Sequence, residues 1–132
     1  MDVAEAMVRD VVLLGSDANV REAARAMAES DSRAVLIGSE EQVEGILTQR
    51  DILIRVVAAG LVPGDTPVGD IMSTTLFTCR DDQTAEDVLA EMAEHRVGQM
   101  PVLDRSGRLC GLVTRGAVTR FESAEDEPGP PS

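Results

Sequence analysis

At 132 residues, 43% of them hydrophobic, the chain can form one compact domain or two small repeats sharing a core. A net charge of −12 argues against sequence-independent nucleic-acid binding, which needs clustered basic groups to displace counterions. No stretch approaches the roughly 18 apolar residues of a membrane span, and the start lacks the basic-then-apolar pattern of a signal peptide, so a cytoplasmic protein without a membrane partner is expected.

In chain order, Val3–Met7 reads as a short opening helix. Val11–Leu14 is an apolar run closed by Gly15-Ser16-Asp17, a strand with a turn signal. Asn19 followed by Glu22 is a capping box, and the helix behind it places Val20, Ala23, Ala24 and Met27 on one face. Ala34–Ile37 and Val43–Leu47 read as the two strands of a hairpin. Thr48 opens a helix carrying Ile52, Leu53, Val56 and Val57, stopped near Gly60. Leu61–Thr66 is a linker, and Pro67 suits the first position of another helix.

The chain then says nearly the same thing again, about 65 residues on. Val68-Gly69-Asp70-Ile71-Met72 answers Val3–Met7, Thr84–Asp87 answers Asn19–Glu22, and Gly111-Leu112-Val113-Thr114 answers Gly45-Ile46-Leu47-Thr48. The second copy predicts a strand near Leu76–Cys79, a helix over Thr84–Glu94, strands Met100–Leu103 and Leu109–Val113, and a helix from Thr114 to about Glu122. Ser123–Ser132, acidic and Pro-rich, is expected to be a disordered tail. Two like units usually bury their apolar faces against each other, so residues 1–60 and 68–122 are assigned as repeats, with 61–67 between them.

Few residues invite chemistry. Cys79 and Cys110 form no CxxC and His95 is the sole His, which supports a metal cluster poorly. Buried free thiols are the simpler reading, with a disulfide or redox role the other. His95 reads as a surface or helix-end residue, and Met7, Met27, Met72, Met92 and Met100 as core fillers. With no nucleophile–base pair or metal set, an enzyme is not expected. The informative segment is Gly45–Asp51, which sets a hydroxyl and a carboxylate at the start of a helix. Free N–H groups there favour an anion, Arg50 adds positive charge, and Asp51 could accept two hydrogen bonds from a vicinal diol such as a ribose. Thr-x-x-Asp is equally a capping motif that needs no ligand, and a capped helix can still face one. The second copy runs Thr114-Arg115-Gly116-Ala117, without the carboxylate.

The doubled plan, with Gly-hydrophobic-x-Thr-x-x-Asp closing one repeat and Met100-Pro101-Val102-Leu103-Asp104 in the other, resembles a CBS domain pair, or Bateman module, over about residues 1–121. Arg50-Asp51-Ile52 with Ala58-Ala59-Gly60-Leu61 and Pro63 is similar to small stand-alone bacterial CBS-pair proteins, some linked to stress or dormancy. The resemblance implies an α+β fold of tandem repeats packed with pseudo-twofold symmetry, and a homodimer. It implies no resident cofactor but a regulatory adenine nucleotide (AMP, ADP or ATP) in a cleft between the repeats, serving an unknown protein target. Carried over, it assigns Arg33, Ile46, Thr48, Arg50 and Asp51 to ribose and phosphate. Phe77, Thr78, Cys79, Val97, Met100 and Pro101 would line the adenine, where backbone groups usually read the base. Arg33, Arg50, Arg96 and Arg115 would share the phosphate charge, since Gly98-Gln99 stands where a base is common. Ala117 cannot hold a ribose, so one nucleotide per chain is expected. The alternative is a ligand-free dimerisation or interaction module with a vestigial nucleotide cleft.

Overall fold

A computed structural model describes residues 2–30 and 32–126. The fold is α+β and divides into two compact units. The early unit is Val11–Leu76, and the late unit is Met1–Asp10 together with Phe77–Ser132.

In the early unit, β1 (Leu13–Leu14) pairs in parallel with β2 (Ala34–Gly38), which pairs antiparallel with β3 (Val43–Thr48). Helix α1 (Val20–Ser30) connects β1 to β2. Its expected capping box is present: the Glu22 N–H donates to Asn19 Oδ1 at 2.9 Å, and the Asn19 N–H to Glu22 Oε2 at 3.3 Å. Such a cap satisfies donors that the first turn leaves open. Val20, Ala23 and Met27 are buried against the sheet, whereas Ala24 is exposed and Ala26 packs on the core in its place. After β3, α2 (Gln49–Ile52) widens into a π turn over Leu53–Val57, closed by the Ala58 N–H donating to Leu53 O. That stretch holds three β-branched residues, which crowd the preceding turn of an α-helix. The wider turn still buries Val56 completely.

The late unit repeats the plan. β4 (Cys79–Arg80) is parallel to β5 (Gln99–Leu103), which is antiparallel to β6 (Leu109–Thr114). Helix α3 (Ala85–His95) is capped by Thr84, and α4 (Arg115–Asp126) follows β6. Both first strands thus begin later than expected, at Leu13 rather than Val11 and at Cys79 rather than Leu76, and the one further residue of delay in the late unit is due to Pro101. In the early unit the Leu36 N–H donates to Val12 O at 3.0 Å, which starts the β1–β2 pairing. Pro101 occupies the repeat position of Leu36 and has no N–H to give. The last helix also outruns expectation, taking in Ser123–Asp126 of the anticipated tail; the rest of that tail lies outside the described residues.

The units do not follow the order of the sequence repeats. Val3, opening the first copy, is fully buried in the late core with Val88, Met92, Met100, Val102 and Val113. Val68 and Ile71, opening the second copy, are buried in the early core with Val20, Met27, Val35, Ile37 and Leu47. Both leaders are 3-10 turns (Val3–Glu5 and Val68–Asp70) rather than longer helices, and Pro67 is the N-cap of its turn, one position earlier than expected. Behind each turn the chain lies along a sheet edge. Val8 and Leu112 exchange both backbone hydrogen bonds at 2.8 and 2.9 Å, and Ser73 and Ile46 do the same at 2.9 and 3.0 Å.

The methionine before each bridge explains a glycine in each strand. A Cβ on Gly45 would lie 2.5 Å from Met72 Sδ and 2.9 Å from Ser73 O. A Cβ on Gly111 would lie 2.7 Å from Met7 Sδ and 2.8 Å from Val8 O. Gly111→Ala is therefore expected to lower unfolding free energy by about 1–3 kcal/mol, the usual cost of overpacking. Gly64→Ala, where an added Cβ meets nothing within 4 Å, should change it little. Urea denaturation of the two variants checks both expectations.

Candidate functional site

The early unit gathers one group of the expected residues where β3 gives way to α2. Thr48 is extended (φ −108°, ψ 165°) and ends β3. Its Oγ1 accepts from the Asp51 N–H at 3.2 Å, and its own N–H donates to Asp51 Oδ2 at 2.9 Å. The capping reading of Thr48-x-x-Asp51 is thus correct, and it occupies half of the carboxylate. Asp51 Oδ1 accepts no hydrogen bond among the described residues. The Gln49 N–H donates to Arg33 O at 2.9 Å, bringing the start of β2 to the same corner, where the Arg33 and Arg50 side chains are exposed. Ile46 contributes only its half-buried side chain, since its N–H and C=O are both bonded to Ser73.

The late unit holds the equivalent corner without the carboxylate. The Ala117 N–H donates to Thr114 Oγ1 at 3.1 Å, so Ala117 sits where Asp51 does. Arg115 is engaged at the end of α3: its Nη2 donates to Met92 O at 3.3 Å, in the last turn of the helix, and to Val97 O at 3.1 Å, two residues past it. A basic group at a helix C-terminus is favoured there.

The expected adenine-lining residues all belong to the late unit but divide in two. Cys79, Met100 and Pro101 are buried. Phe77 and Val97 are half-buried and Thr78 is exposed. Phe77 has two features beyond its exposure. Its backbone oxygen, deprived by Pro101 of the bond that Val12 O receives, accepts no hydrogen bond among the described residues. Its ring is stacked on the His95 imidazole, centroids 3.8 Å apart and planes 9° from parallel.

That stack eluded sequence reasoning, which left His95 without a partner. A signal was present in the repeat itself. Where the first copy has Val12 and Ser30, the second has Phe77 and His95, so two of the few aromatic rings entered the second copy together.

Two copies of a three-stranded sheet with flanking helices, each closing on a Gly-x-x-Thr corner, define a tandem-repeat module. The sequence model of the CBS domain matches residues 3–58 and 68–123, and the chain belongs to the CBS domain family as a CBS pair. It is 32% identical over 111 residues to Hypoxic response protein 1 of Mycobacterium tuberculosis, covering 83% of this chain and 77% of that protein. A CBS-domain protein of Burkholderia ambifaria superposes with a TM-score of 0.87 at 28% identity, over 97% of this chain and 98% of that one. A hexameric CBS-CP12 protein from bloom-forming cyanobacteria gives 0.86 at 25% identity, over 98% and 76%; CBS proteins of this fold thus include oligomers. No helix among the described residues is long and apolar enough to cross a membrane. Nor do three or more His, Cys, Asp or Glu among them gather to hold a metal.

The two thiols differ. Cys79 is buried on β4, its Sγ–H pointing at Pro101 O at 3.8 Å, while Cys110 is only half-buried and donates to Val102 O at 3.4 Å. Burial first, then the charge of Glu91 and the neighbouring Cys110, pushes the Cys79 thiol from 9.0 up to about 12. Burial, then Asp81 and Asp104, also raises Cys110, against a lowering by Arg9. A raised folded value means stability is whole below pH ~9 and is lost as pH climbs toward 12, because the unfolded chain releases its proton first. With no Lys and no Tyr in the chain, few other groups titrate in that range. The urea midpoint should therefore hold near neutrality and fall above pH ~9, and Cys79→Ala should flatten most of the fall.

Proposed function

We propose that this CBS pair is a non-catalytic regulatory protein that binds one adenine nucleotide (AMP, ADP or ATP) per chain and signals the bound state to a protein partner. The observation that carries the reading is Asp51 Oδ1, an acceptor left open by a carboxylate whose other oxygen is fixed on the Thr48 N–H. A carboxylate oriented by its own cap loses little freedom on meeting a diol. The exposed Arg33 and Arg50 beside it supply charge for phosphate. Within the late unit, Phe77 has a flat face and a carbonyl that accepts no hydrogen bond among the described residues, groups suited to a base that carries an exocyclic amine. Ala117 limits the chain to one such carboxylate, and Arg115, exposed and engaged at α3 through Nη2 alone, keeps donors for phosphate. The resemblance to Hypoxic response protein 1 supports a role in sensing energy supply or stress.

A second reading, an interaction module that uses no ligand, has an observation of its own. Leu53, Ile54, Val57, Leu61 and Val62 are 46–61% exposed along the π turn and the segment just beyond it. The one charge in this stretch, Arg55, is exposed and donates through Nη1 to Ile71 O at 2.8 Å, and no acidic group lies within it. A strongly acidic chain meeting its own copy gains most from a patch without carboxylates. Self-association through this face is compatible with either reading.

Two measurements test these proposals. Titration calorimetry with AMP, ADP and ATP should give one site per chain, and Asp51→Asn, which keeps an oxygen for the cap, should weaken binding by about 1.5–3 kcal/mol, the worth of a charge-assisted hydrogen bond. Two equal sites, or an unaffected variant, would remove Asp51 from the site, and a wholly flat ligand panel would favour the interaction module. Sedimentation should show a dimer or larger assembly that Val57→Glu dissociates; a monomeric wild-type protein would refute self-association.

A further inference from the structure

Taking Phe77 as a residue that lines the base, as the nucleotide reading does, we infer that His95 is the base's built-in competitor, the imidazole covering in the free protein the ring face that the base takes on binding. The inference rests on the nucleotide reading and adds to it a residue that sets affinity. Phe77 is half-buried against the late core, so its ring is held in place from behind. Its other partner is a ring of the same shape class as a nucleobase, centred 3.8 Å away and tilted by only 9°. Parallel rings at that separation are what a bound purine would form with a phenylalanine. Beside the ring, the Phe77 carbonyl accepts no hydrogen bond among the described residues because Pro101 cannot donate, and an imidazole lying flat on the ring does not satisfy it. A base with an exocyclic amine would take both the ring and the carbonyl, whereas His95 takes only the ring.

His95 is also placed to leave. It is exposed and is the last residue of α3, followed by Arg96 in the left-handed region at φ 57°. The Val97 N–H donating to Met92 O and the Arg115 guanidinium on Met92 O and Val97 O hold the helix end independently of the imidazole. Rotation about the His95 side-chain bonds therefore uncovers Phe77 without moving the backbone, on the fast timescale of an exposed rotamer. Binding exchanges one ring for another, and the free protein keeps an apolar face out of water until a ligand arrives.

The test uses the full chain and its single histidine, whose imidazole proton resonances need no assignment. In the free protein these should be displaced upfield by the Phe77 ring current, and saturating AMP or ATP should return them toward the position of a solvent-exposed imidazole. His95→Ala, at an exposed site where the fold should be retained, should bind AMP about two- to tenfold more tightly, the worth of one aromatic stack. Phe77→Leu should bind more weakly and leave the imidazole unshifted in the free protein. If the wild type binds and His95→Ala binds equally or less tightly, competition is overturned while the nucleotide reading stands. If neither protein binds at millimolar ligand, both fall together. Binding by His95→Ala alone supports both and gives the imidazole as the reason the wild type does not bind.

Discussion

Each compact unit is completed by the opening segment of the other sequence copy, and the remaining structure depends on that exchange. Val3 and Val68 stand at the same repeat position and each is fully buried in a core built by the other copy's strands and helix. Complete burial of a valine is worth about 1.5–3 kcal/mol, a large share of the stability of a small unit. The exchange also closes a sheet. β3 and β6 are the outer strands of their three-stranded sheets, and an open outer strand invites pairing with other chains. The bridges Ser73–Ile46 and Val8–Leu112 cover part of each edge, and Gly45 and Gly111 are the concession that lets Met72 and Met7 cross the strands there. Neither copy carries its own leader in its own core, so separating residues 1–60 from the rest would leave both cores incomplete.

On this shared scaffold the copies differ at positions that carry chemistry. Capping by Thr48 and Thr114 is the same geometry, but only Asp51 returns a carboxylate to the cap and keeps one oxygen open. Gln49 becomes Arg115, which ties down α3. Leu36 becomes Pro101, Val12 becomes Phe77 and Ser30 becomes His95. The early copy has a polar acceptor, and the late copy has a ring and a carbonyl that accepts no hydrogen bond among the described residues. Duplication alone would have produced two equal sets of groups; these substitutions made them unlike.

What the sequence revealed followed the range of each interaction. Asn19 with Glu22 and Thr48 with Asp51 are contacts three residues apart, and both capping boxes were legible because their partners are neighbours in the chain. The α1 face was read correctly at Val20, Ala23 and Met27, but helical spacing did not distinguish Ala24 from Ala26, since both flank the stripe and the sheet decides between them. The π turn depends on how Val56 must reach the core, and the exchange of leaders was hidden for a related reason. Val3–Met7 and Val68–Met72 share a valine and a methionine at the same positions, so the pattern alone does not say which core each enters, and only the three-dimensional path of the chain chooses.

Pro101 shows how a departure in the fold and a departure in chemistry can have one source. A proline within the middle strand of a sheet is unfavourable unless its missing N–H faces a position that is not paired. Here the strand to one side answers by starting later, at Cys79, and the residue that would have accepted the bond, Phe77, is left with its carbonyl open beside its own ring. Had position 101 carried leucine, as position 36 does, the sheet would gain a hydrogen bond worth about 0.5–1.5 kcal/mol and the Phe77 carbonyl would be spent on it. Buried or half-buried acceptors are rarely left unsatisfied without a reason. Retaining this one costs the sheet a bond, and a ligand able to donate to it would restore what the proline took away.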